Sequence, residues 1–196
     1  MGAEPLKNDK ELTWKLVDTQ HVVTDRWIDF RRLSYEMPDG TLFEPFYNYS
    51  RRSYVVIAAT DTEGNYICVR QYRQGIGAVT TEFPAGGIEN YGKTDYEKTG
   101  REEDPLEAAK RELIEETGYT SDDWTHLLTI PSDATLGDNY AHLYLARNCR
   151  KVQGQNLDDT EFMNVTVIPP DELEEMAASG RFQQAIHVLA LMLAKR

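Results

Sequence analysis

The segment Arg111-Glu112-Leu113-Ile114-Glu115-Glu116-Thr117-Gly118 decides the fold and the chemistry that we expect of this 196-residue chain. On a helix, Glu112, Glu115 and Glu116 stand at positions i, i+3 and i+4, so their carboxylates gather on one face. Carboxylates at such short distances repel one another. A Mg²⁺ ion can offset this repulsion, because it takes oxygen ligands of this kind. The spacing therefore predicts a metal platform for a pyrophosphate; a solvated acidic helix face is the alternative.

Signals on both sides of this segment predict where the helix begins and ends. Asp104-Pro105 has the pattern of an N-cap followed by a proline at the first helical position. Gly118 is a typical residue for a C-terminal stop. We therefore expect a helix from Pro105 to about Thr117, with an apolar stripe that faces the core.

The rest of the chain is predicted to consist mainly of strands before this helix, and of strands and then helices after it. Before it, we expect strands within Thr13–Tyr35, a hairpin arm at Thr41–Tyr49, and buried strands at Tyr54–Ala59 and Tyr66–Tyr72. After it, we expect strands at Trp124–Ile130, Tyr140–Arg147 and Phe162–Ile168, and helices at Asp171–Ser179 and Phe182–Lys195. This order predicts a mixed α/β (α+β) sandwich rather than a series of βαβ units.

Composition and charge argue against several classes of protein. Hydrophobic residues make up 40% of the chain and charged residues 28%, which is typical of a globular domain. No apolar run reaches the roughly 18 residues of a membrane-spanning helix, so we expect no membrane partner. The chain has two cysteines, which implies no disulfide framework and makes the cytoplasm the default compartment. The net charge of −12 disfavours nucleic acid as a partner.

The motif around the acidic helix resembles the signature of the Nudix hydrolases. Arg111 to Gly118 matches the second half of that signature residue by residue, and Glu103 stands eight positions before Arg111, as the signature requires. Gly86 matches the leading glycine. Gly86 and Glu103 are separated by sixteen residues where the family has five, an eleven-residue insertion. We expect this insertion to be a surface loop that the fold tolerates or that contributes to specificity.

Within this family the chain is most similar to the ADP-ribose and nucleoside-diphosphate-sugar pyrophosphatases. The resemblance implies an α/β/α sandwich with a mixed sheet, preceded by a small N-terminal antiparallel β subdomain. It implies an N-terminal β region at 1–50 that pairs two subunits into a homodimer, and a hydrolase domain at 51–196. It also implies hydrolysis of the pyrophosphate bond of an NDP-sugar or ADP-ribose with Mg²⁺, for which Mn²⁺ can substitute, giving a nucleoside monophosphate and a sugar phosphate.

Two alternatives to this function stay open at this point. One is a nucleotide-sugar binding module that uses the fold without turnover. The other is a Nudix hydrolase of a different nucleotide, such as a nucleoside triphosphate. Relatives without turnover usually lose a glutamate from the helix, and this chain keeps all three.

The resemblance also assigns roles to individual residues. The expected metal ligands are the main-chain carbonyl of Ala85 and the side chains of Glu103, Glu112, Glu115 and Glu116. The expected catalytic residues are Arg111, Glu112, Glu115 and two candidates for the general base in a later acidic loop, Glu161 and Asp159. The expected substrate-binding residues are Arg73, Arg51, Arg52, Glu82, Trp27, Gly86 and Gly87. Exposed strand arginines, a core tryptophan, a plain turn at Ala85 and a solvated acidic loop are the corresponding alternatives.

Overall fold

The computed structural model describes residues 6–89 and 102–195, and the chain falls into two compact units. The first unit runs to Arg51 and includes Asp133–Asp138; the second contains Arg52–Ser132 and Asn139–Arg196. Most of the predicted surface loop before the acidic helix, residues 90–101, lies outside the described residues.

The first unit is built on an antiparallel sheet. Its described elements are a short helix α1 (Asp9–Leu12) and the strands β1 (Lys15–Thr24), β2 (Asp29–Glu36) and β3 (Leu42–Ser50), which pair in the order β1-β2-β3. The turn between β2 and β3 is closed by the Met37 N–H, which donates to the Thr41 carbonyl at 2.8 Å. Gly40 takes a φ of 82° in this turn, a value that glycine adopts without strain because it has no Cβ. All residues of β1 are exposed.

The second unit combines a mixed sheet with helices. Its described elements are β4 (Tyr54–Asp61), β5 (Tyr66–Arg73), β6 (Ala78–Glu82), β7 (Ala85–Gly87), α2 (Pro105–Thr117), β8 (Tyr119–Thr120), β9 (Asp123–Pro131), β10 (Tyr140–Lys151), β11 (Met163–Ile168), α3 (Pro170–Ala178) and α4 (Ala185–Ala194). The sheet follows the order β11-β5-β4-β10-β8, with β6 on β5, β7 on β4 and β9 on β10. The β4–β10 pairing is parallel and the β4–β5 pairing antiparallel.

The central strand β4 explains why helices cover both faces of this sheet. Successive side chains of a strand point to opposite faces. Val55, Ile57 and Ala59 pack in one core cluster with residues of α2. Val56 and Ala58 pack in the other cluster with residues of α3 and α4. The predicted α/β/α sandwich, with a small antiparallel sheet before it, is therefore confirmed.

The observed bounds of α2 agree closely with those predicted from the sequence, and the bounds of other elements agree less well. The helix α2 runs from Pro105 to Thr117, as predicted. The last helix begins at Ala185 rather than at Phe182. The strand β7 follows Pro84 and contains two glycines, yet pairing with β4 holds it in a strand. Within the described ranges, the helices lack the length and apolar character needed to cross a membrane.

Candidate active site

The helix α2 carries the acidic side chains, and both of its ends are fixed by local contacts. The side chain of Asp104 caps the first turn by accepting a hydrogen bond from the Leu106 N–H at 2.9 Å. Gly118 ends the helix in the left-handed conformation, with a φ of 75°. A Cβ at residue 118 would also lie 2.2 Å from the main-chain oxygen of Gln153. Two separate features therefore require glycine at residue 118: the positive φ and the close approach of the Gln153 main chain.

The short strand β7 lies against the carboxylates of α2. An ideal Cβ at Gly86 would lie 2.1 Å from Cδ of Glu112, so the carboxylate occupies the space that a side chain would fill. The Ala85 N–H donates to Oε2 of Glu116 at 3.0 Å. The N–H and C=O of one strand residue point to the same side, so the Ala85 carbonyl lies on that edge as well. Ala85 and Gly86 thus bring the two carboxylates against one stretch of backbone.

Burial disfavours the charged form of both carboxylates. Glu112 is 7% exposed and Glu116 is 2% exposed. Burial raises the pKa of Glu112 to about 7, against the opposing effect of Arg111 and with a contribution from the charges of Glu115 and Glu161. Burial, followed by the charge of Glu112, raises the pKa of Glu116 well above its ordinary value. A cation between the two would stabilise their charged forms.

Arg111 is the centre of a network that fixes the acidic face of α2. Its Nε and Nη2 donate to the two oxygens of Glu103, at 2.8 and 3.0 Å. Its Nη1 donates to Glu112 at 2.7 Å and to Glu115 at 3.1 Å, and Nη2 also donates to the Gly87 carbonyl at 2.9 Å. The hydrogen bonds to Glu103 are the main reason why the pKa of Arg111 is raised. All three guanidinium nitrogens bind protein groups, which is the arrangement of a positioning residue.

The inserted loop does not separate Glu103 from α2. One carboxylate oxygen of Glu103 accepts the Glu89 N–H at 2.8 Å, and the Glu103 N–H donates to the Glu89 carbonyl at 3.0 Å. These contacts tie the two ends of the loop together. Burial acts to raise the pKa of Glu103, but the hydrogen bonds from Arg111 and the Glu89 backbone lower it overall. A role for Glu103 as a metal ligand stays a prediction.

The donors at the centre of this arrangement fit a hard divalent cation. Glu112, Glu116 and the Ala85 carbonyl all offer oxygen, and Mg²⁺ is commonly held by one or two carboxylates together with water and substrate phosphates. Among residues 6–89 and 102–195, no three His, Cys, Asp or Glu side chains are grouped to hold an ion by themselves. Arg111 contacts both Glu112 and Glu115. A role for Glu115 as a third metal ligand stays a prediction.

Arg73 is held rigidly near the same carboxylates. Both oxygens of the fully buried Glu82 accept hydrogen bonds from the Arg73 guanidinium, and Glu82 also accepts from Thr80 and from Nε2 of Gln184, the latter at 3.2 Å. These bonds are the largest influence that raises the pKa of Arg73, and the charge of Glu116 adds to it. Because Glu82 is 0% exposed, its effect on a substrate must pass through Arg73.

The predicted acidic loop, residues 157–161, lies between β10 and β11. Oε2 of Glu161 accepts the Asp158 N–H at 3.0 Å, and the Glu161 N–H donates to the Asp158 carbonyl at 2.9 Å. The charge of Glu161 makes one of the smaller contributions to the raised pKa values of Glu112 and Glu116. Asp159 lies in the same loop and is exposed.

A cavity of about 630 Å³ lies beside the acidic loop. Glu161 lines it together with Arg70, Tyr72 and Phe162. Phe162 is 84% exposed and Tyr72 is 53% exposed. The cavity therefore offers two aromatic surfaces and a cation next to the candidate general base.

The other predicted substrate residues are spread over both units. Arg52 approaches Gly87, where a Cβ would meet Cδ of Arg52 at 3.7 Å. Arg51 is exposed and belongs to the first unit. Trp27, also in the first unit, is 62% exposed, and the guanidinium of Arg26 lies 4.5 Å from its ring centroid. Their roles in binding stay predictions.

Three side chains that contact this site were not found from the sequence. Thr80 and Gln184 bind Glu82, and Gln155 binds the main chain of α2. Gln155 and Gln184 stand in no motif, and their partners lie 39 and 102 positions away in the chain. Thr80 lies two positions before Glu82 on β6, so strand alternation was the one available signal.

The geometry can be compared with known proteins. A model of the NUDIX domain matches residues 50–188. This chain belongs to the Nudix family. Over 90% of its length, this Nudix protein is 27% identical to the ADP-ribose pyrophosphatase of Bacillus subtilis (strain 168), of which it covers 89%. It is also 27% identical, over 90% of both chains, to the methanol dehydrogenase activator of Bacillus methanolicus.

The fold is similar to that of a solved protein as well. A crystal structure of an ADP compounds hydrolase superimposes with a TM-score of 0.76 at 20% identity, covering 98% of this Nudix chain and 95% of the other. The predicted family, the hydrolase class and the resemblance to the ADP-ribose pyrophosphatase branch are confirmed. The acidic motif lies within the matched residues.

Proposed function

We propose that this Nudix protein hydrolyses the pyrophosphate bond of a nucleoside-diphosphate sugar or ADP-ribose, giving a nucleoside monophosphate and a sugar phosphate. The observation that carries the proposal is the pair of buried carboxylates, Glu112 and Glu116, held against the backbone of β7. The similarity to an ADP-ribose pyrophosphatase along 90% of the chain supports the same substrate class.

We infer that Glu112, Glu116 and the Ala85 carbonyl hold Mg²⁺, or Mn²⁺ in its place. When bound, the ion neutralises charge on the phosphates and lowers the pKa of a coordinated water. Arg111 keeps Glu112 and Glu115 in position through its contacts with both. Glu115 stands next to the ligands as a further ligand or as a group that orients the attacking water.

Arg73 is the residue that we propose to bind the diphosphate. Guanidinium groups match phosphate oxygens through paired hydrogen bonds. Glu82 holds Nε and Nη2 of Arg73, while Nη1 has no hydrogen-bond partner within the described residues. The charge of Glu116 contributes to the raised pKa of Arg73, and we propose that the diphosphate bridges this guanidinium and the ion.

Glu161 is the proposed general base, with Asp159 as the alternative. In the reaction, the water oxygen forms a bond to phosphorus, the bridging P–O bond breaks, and the water proton passes to the Glu161 carboxylate. The cavity lined by Arg70, Tyr72 and Phe162 adjoins Glu161. We propose that a ring of the substrate lies there, because aromatic surfaces pack against sugar rings and nucleobases.

We also propose that two copies associate through the first unit. Several apolar side chains of its strands are about half exposed, including Leu16 at 50%, Val22 at 50% and Leu42 at 53%. Apolar side chains that gather in one exposed patch commonly mark a protein interface, and we infer such a patch on this sheet. Light scattering at micromolar concentration tests this: a dimer mass supports the proposal and a monomer mass contradicts it.

A substrate panel tests the proposed activity. Purified protein with Mg²⁺ is incubated with ADP-ribose, several NDP-sugars and nucleoside triphosphates, and the products are separated by chromatography. We expect nucleoside monophosphate and sugar phosphate from a diphosphate substrate. The exposed Glu107 on the same helix, which pairs with Lys110, provides the control: Glu107→Gln should keep full turnover, while Glu116→Gln should lose at least a hundredfold. Full turnover by Glu116→Gln, or tight binding without product, would contradict the proposal.

A further inference from the structure

The segment after β10 packs against the C-terminal end of α2. A helix leaves its last carbonyls without partners inside the helix. Here the Asn156 N–H donates to the Glu115 carbonyl at 2.8 Å, and the Val152 N–H donates to the Gly118 carbonyl at 2.9 Å. The end of the catalytic helix is therefore bound by the chain that leads directly into the acidic loop.

The side chain of Gln155, in this segment, also contacts α2. Nε2 of Gln155 donates to the main-chain carbonyl of Glu116 at 2.7 Å and lies 3.4 Å from the carbonyl of Met163. Gln155 comes just before the acidic loop, and Met163 begins β11 just after it. A single amide thus joins both ends of the loop to the residue that we assign as a metal ligand.

Hydrogen bonds within the acidic loop fix its local conformation. The two hydrogen bonds between Asp158 and Glu161 close a turn. Since the turn is closed internally, its position relative to α2 depends on how its ends are attached. The Gln155 amide provides one such attachment, next to Glu116.

We propose that Gln155 is a positioning residue that aligns the acidic loop, and with it Glu161, over the carboxylates of α2. This inference rests on the base role proposed above for Glu161. Gln155 does not touch the reacting atoms; it acts by fixing the distance from Glu161 to the water that attacks phosphorus. Displacement of a reacting group by about 1 Å is enough to lower a rate by up to about a hundredfold.

Replacement of the amide by an apolar group of similar length provides the test. Gln155→Met removes both hydrogen bonds, and Gln153→Met is the matched control. Both residues are exposed, but Gln153 contacts the end of α2 through its main-chain N–H, which donates to the Gly118 carbonyl. With the substrate that the parent hydrolyses best, we expect Gln155→Met to lower kcat about tenfold with KM within twofold of the parent. Gln153→Met should match the parent in both constants.

A double-mutant cycle separates positioning of Glu161 from a general structural effect. If Gln155 acts through Glu161, adding Gln155→Met to Glu161→Gln should lower kcat no further. If the two losses multiply, or if Gln155→Met has the kcat of the parent, the inference is overturned. If Gln155→Met does not fold, Gln155→Asn takes its place, because its shorter amide should not span both carbonyls.

The same experiment distinguishes this inference from the function on which it rests. An inactive parent would contradict the proposed hydrolysis itself. An active parent whose Glu161→Gln variant keeps full turnover would remove the base role and this inference with it. An active parent that needs Glu161 but is indifferent to Gln155 would overturn this inference alone.

Discussion

The carboxylate of Glu112 fills the space in which a side chain at Gly86 would lie, with 2.1 Å between Cδ and an ideal Cβ. Strand β7 and helix α2 are therefore in direct contact through a residue that has no side chain. Ala85, the residue before Gly86, donates its N–H to the second buried carboxylate, that of Glu116.

We predict that Gly86→Ala impairs the enzyme while Gly75→Ala does not. The added methyl group at residue 86 must push the Glu112 carboxylate away from β7, whereas at residue 75 it meets no atom within 4 Å. We expect kcat/KM to fall at least a hundredfold for Gly86→Ala, with weaker Mg²⁺ binding by calorimetry, and to change less than twofold for Gly75→Ala. Equal activity of the two variants would contradict the proposed role of this contact.

We predict that Glu112→Gln stabilises the protein in the absence of divalent cations at pH 8. Burial raises the pKa of Glu112 from 4.5 to about 7. The stability linked to its protonation is complete below the unfolded pKa and is lost as pH rises through about 7. A shift of this size corresponds to on the order of 3 kcal/mol.

Urea unfolding with a chelator at pH 5 and pH 8 measures the effect of Glu112→Gln. The gain over the parent should be present at pH 8 and largely absent at pH 5. Added Mg²⁺ should raise the free energy of unfolding of the parent more than that of the variant. A parent that is insensitive to Mg²⁺ would argue against a metal site at these carboxylates.

We predict that His187 makes the protein less stable in acid. His187 is buried, its Nδ1 accepts the Phe83 N–H at 3.1 Å, and burial lowers its pKa from 6.5 to about 4. Because the folded pKa lies below the unfolded one, the neutral form of His187 contributes stability that is complete above about pH 6.5. This contribution is lost as the pH falls towards 4.

Replacement by asparagine isolates this effect of His187. His187→Asn keeps an acceptor for Phe83 but does not titrate, so its unfolding free energy should fall less steeply than that of the parent between pH 6.5 and 4. The exposed His126 provides the control, since His126→Asn should follow the parent. Identical pH profiles for His187→Asn and the parent would contradict the prediction.

We predict that Arg73→Lys raises KM for the diphosphate substrate about tenfold or more. Lysine cannot reproduce the paired hydrogen bonds that Glu82 accepts from Arg73, so the cation loses its fixed position. Steady-state kinetics measures the effect. Arg150→Lys, at an exposed arginine paired with Asp122, should leave KM unchanged, and an unchanged KM for Arg73→Lys would exclude Arg73 from diphosphate binding.

The parts of the site that local sequence determines were predictable. The helix α2 has its cap and first-turn proline at one end and Gly118 at the other, so its bounds follow from neighbouring residues. The spacing of the glutamates then puts Glu112 and Glu116 on one helix face. Their contacts with β7 depend on tertiary structure and not on this spacing.

The contacts that tertiary structure determines were not predictable. The strand β7 exists because residues 85–87 pair with Tyr54–Val56 about thirty positions earlier, despite two glycines that weaken a strand. Arg111 binds three carboxylates, and one of them is available because Glu103 returns to α2 after the inserted loop. Gln155 has no local pattern, and only the path of the chain past α2 gives it a partner.

Phosphorus NMR of the reaction with ADP-ribose and Mg²⁺ in ¹⁸O-water tests the central proposal most directly. We predict equal amounts of AMP and ribose phosphate, with one ¹⁸O atom in the phosphate that water attacked. The Glu112→Gln/Glu116→Gln protein should give neither product, and Glu107→Gln should give both at the rate of the parent. Intact ADP-ribose and NDP-sugars after prolonged incubation with the parent, or equal turnover by the double variant, would contradict the assignment of these two carboxylates as the centre of a pyrophosphatase.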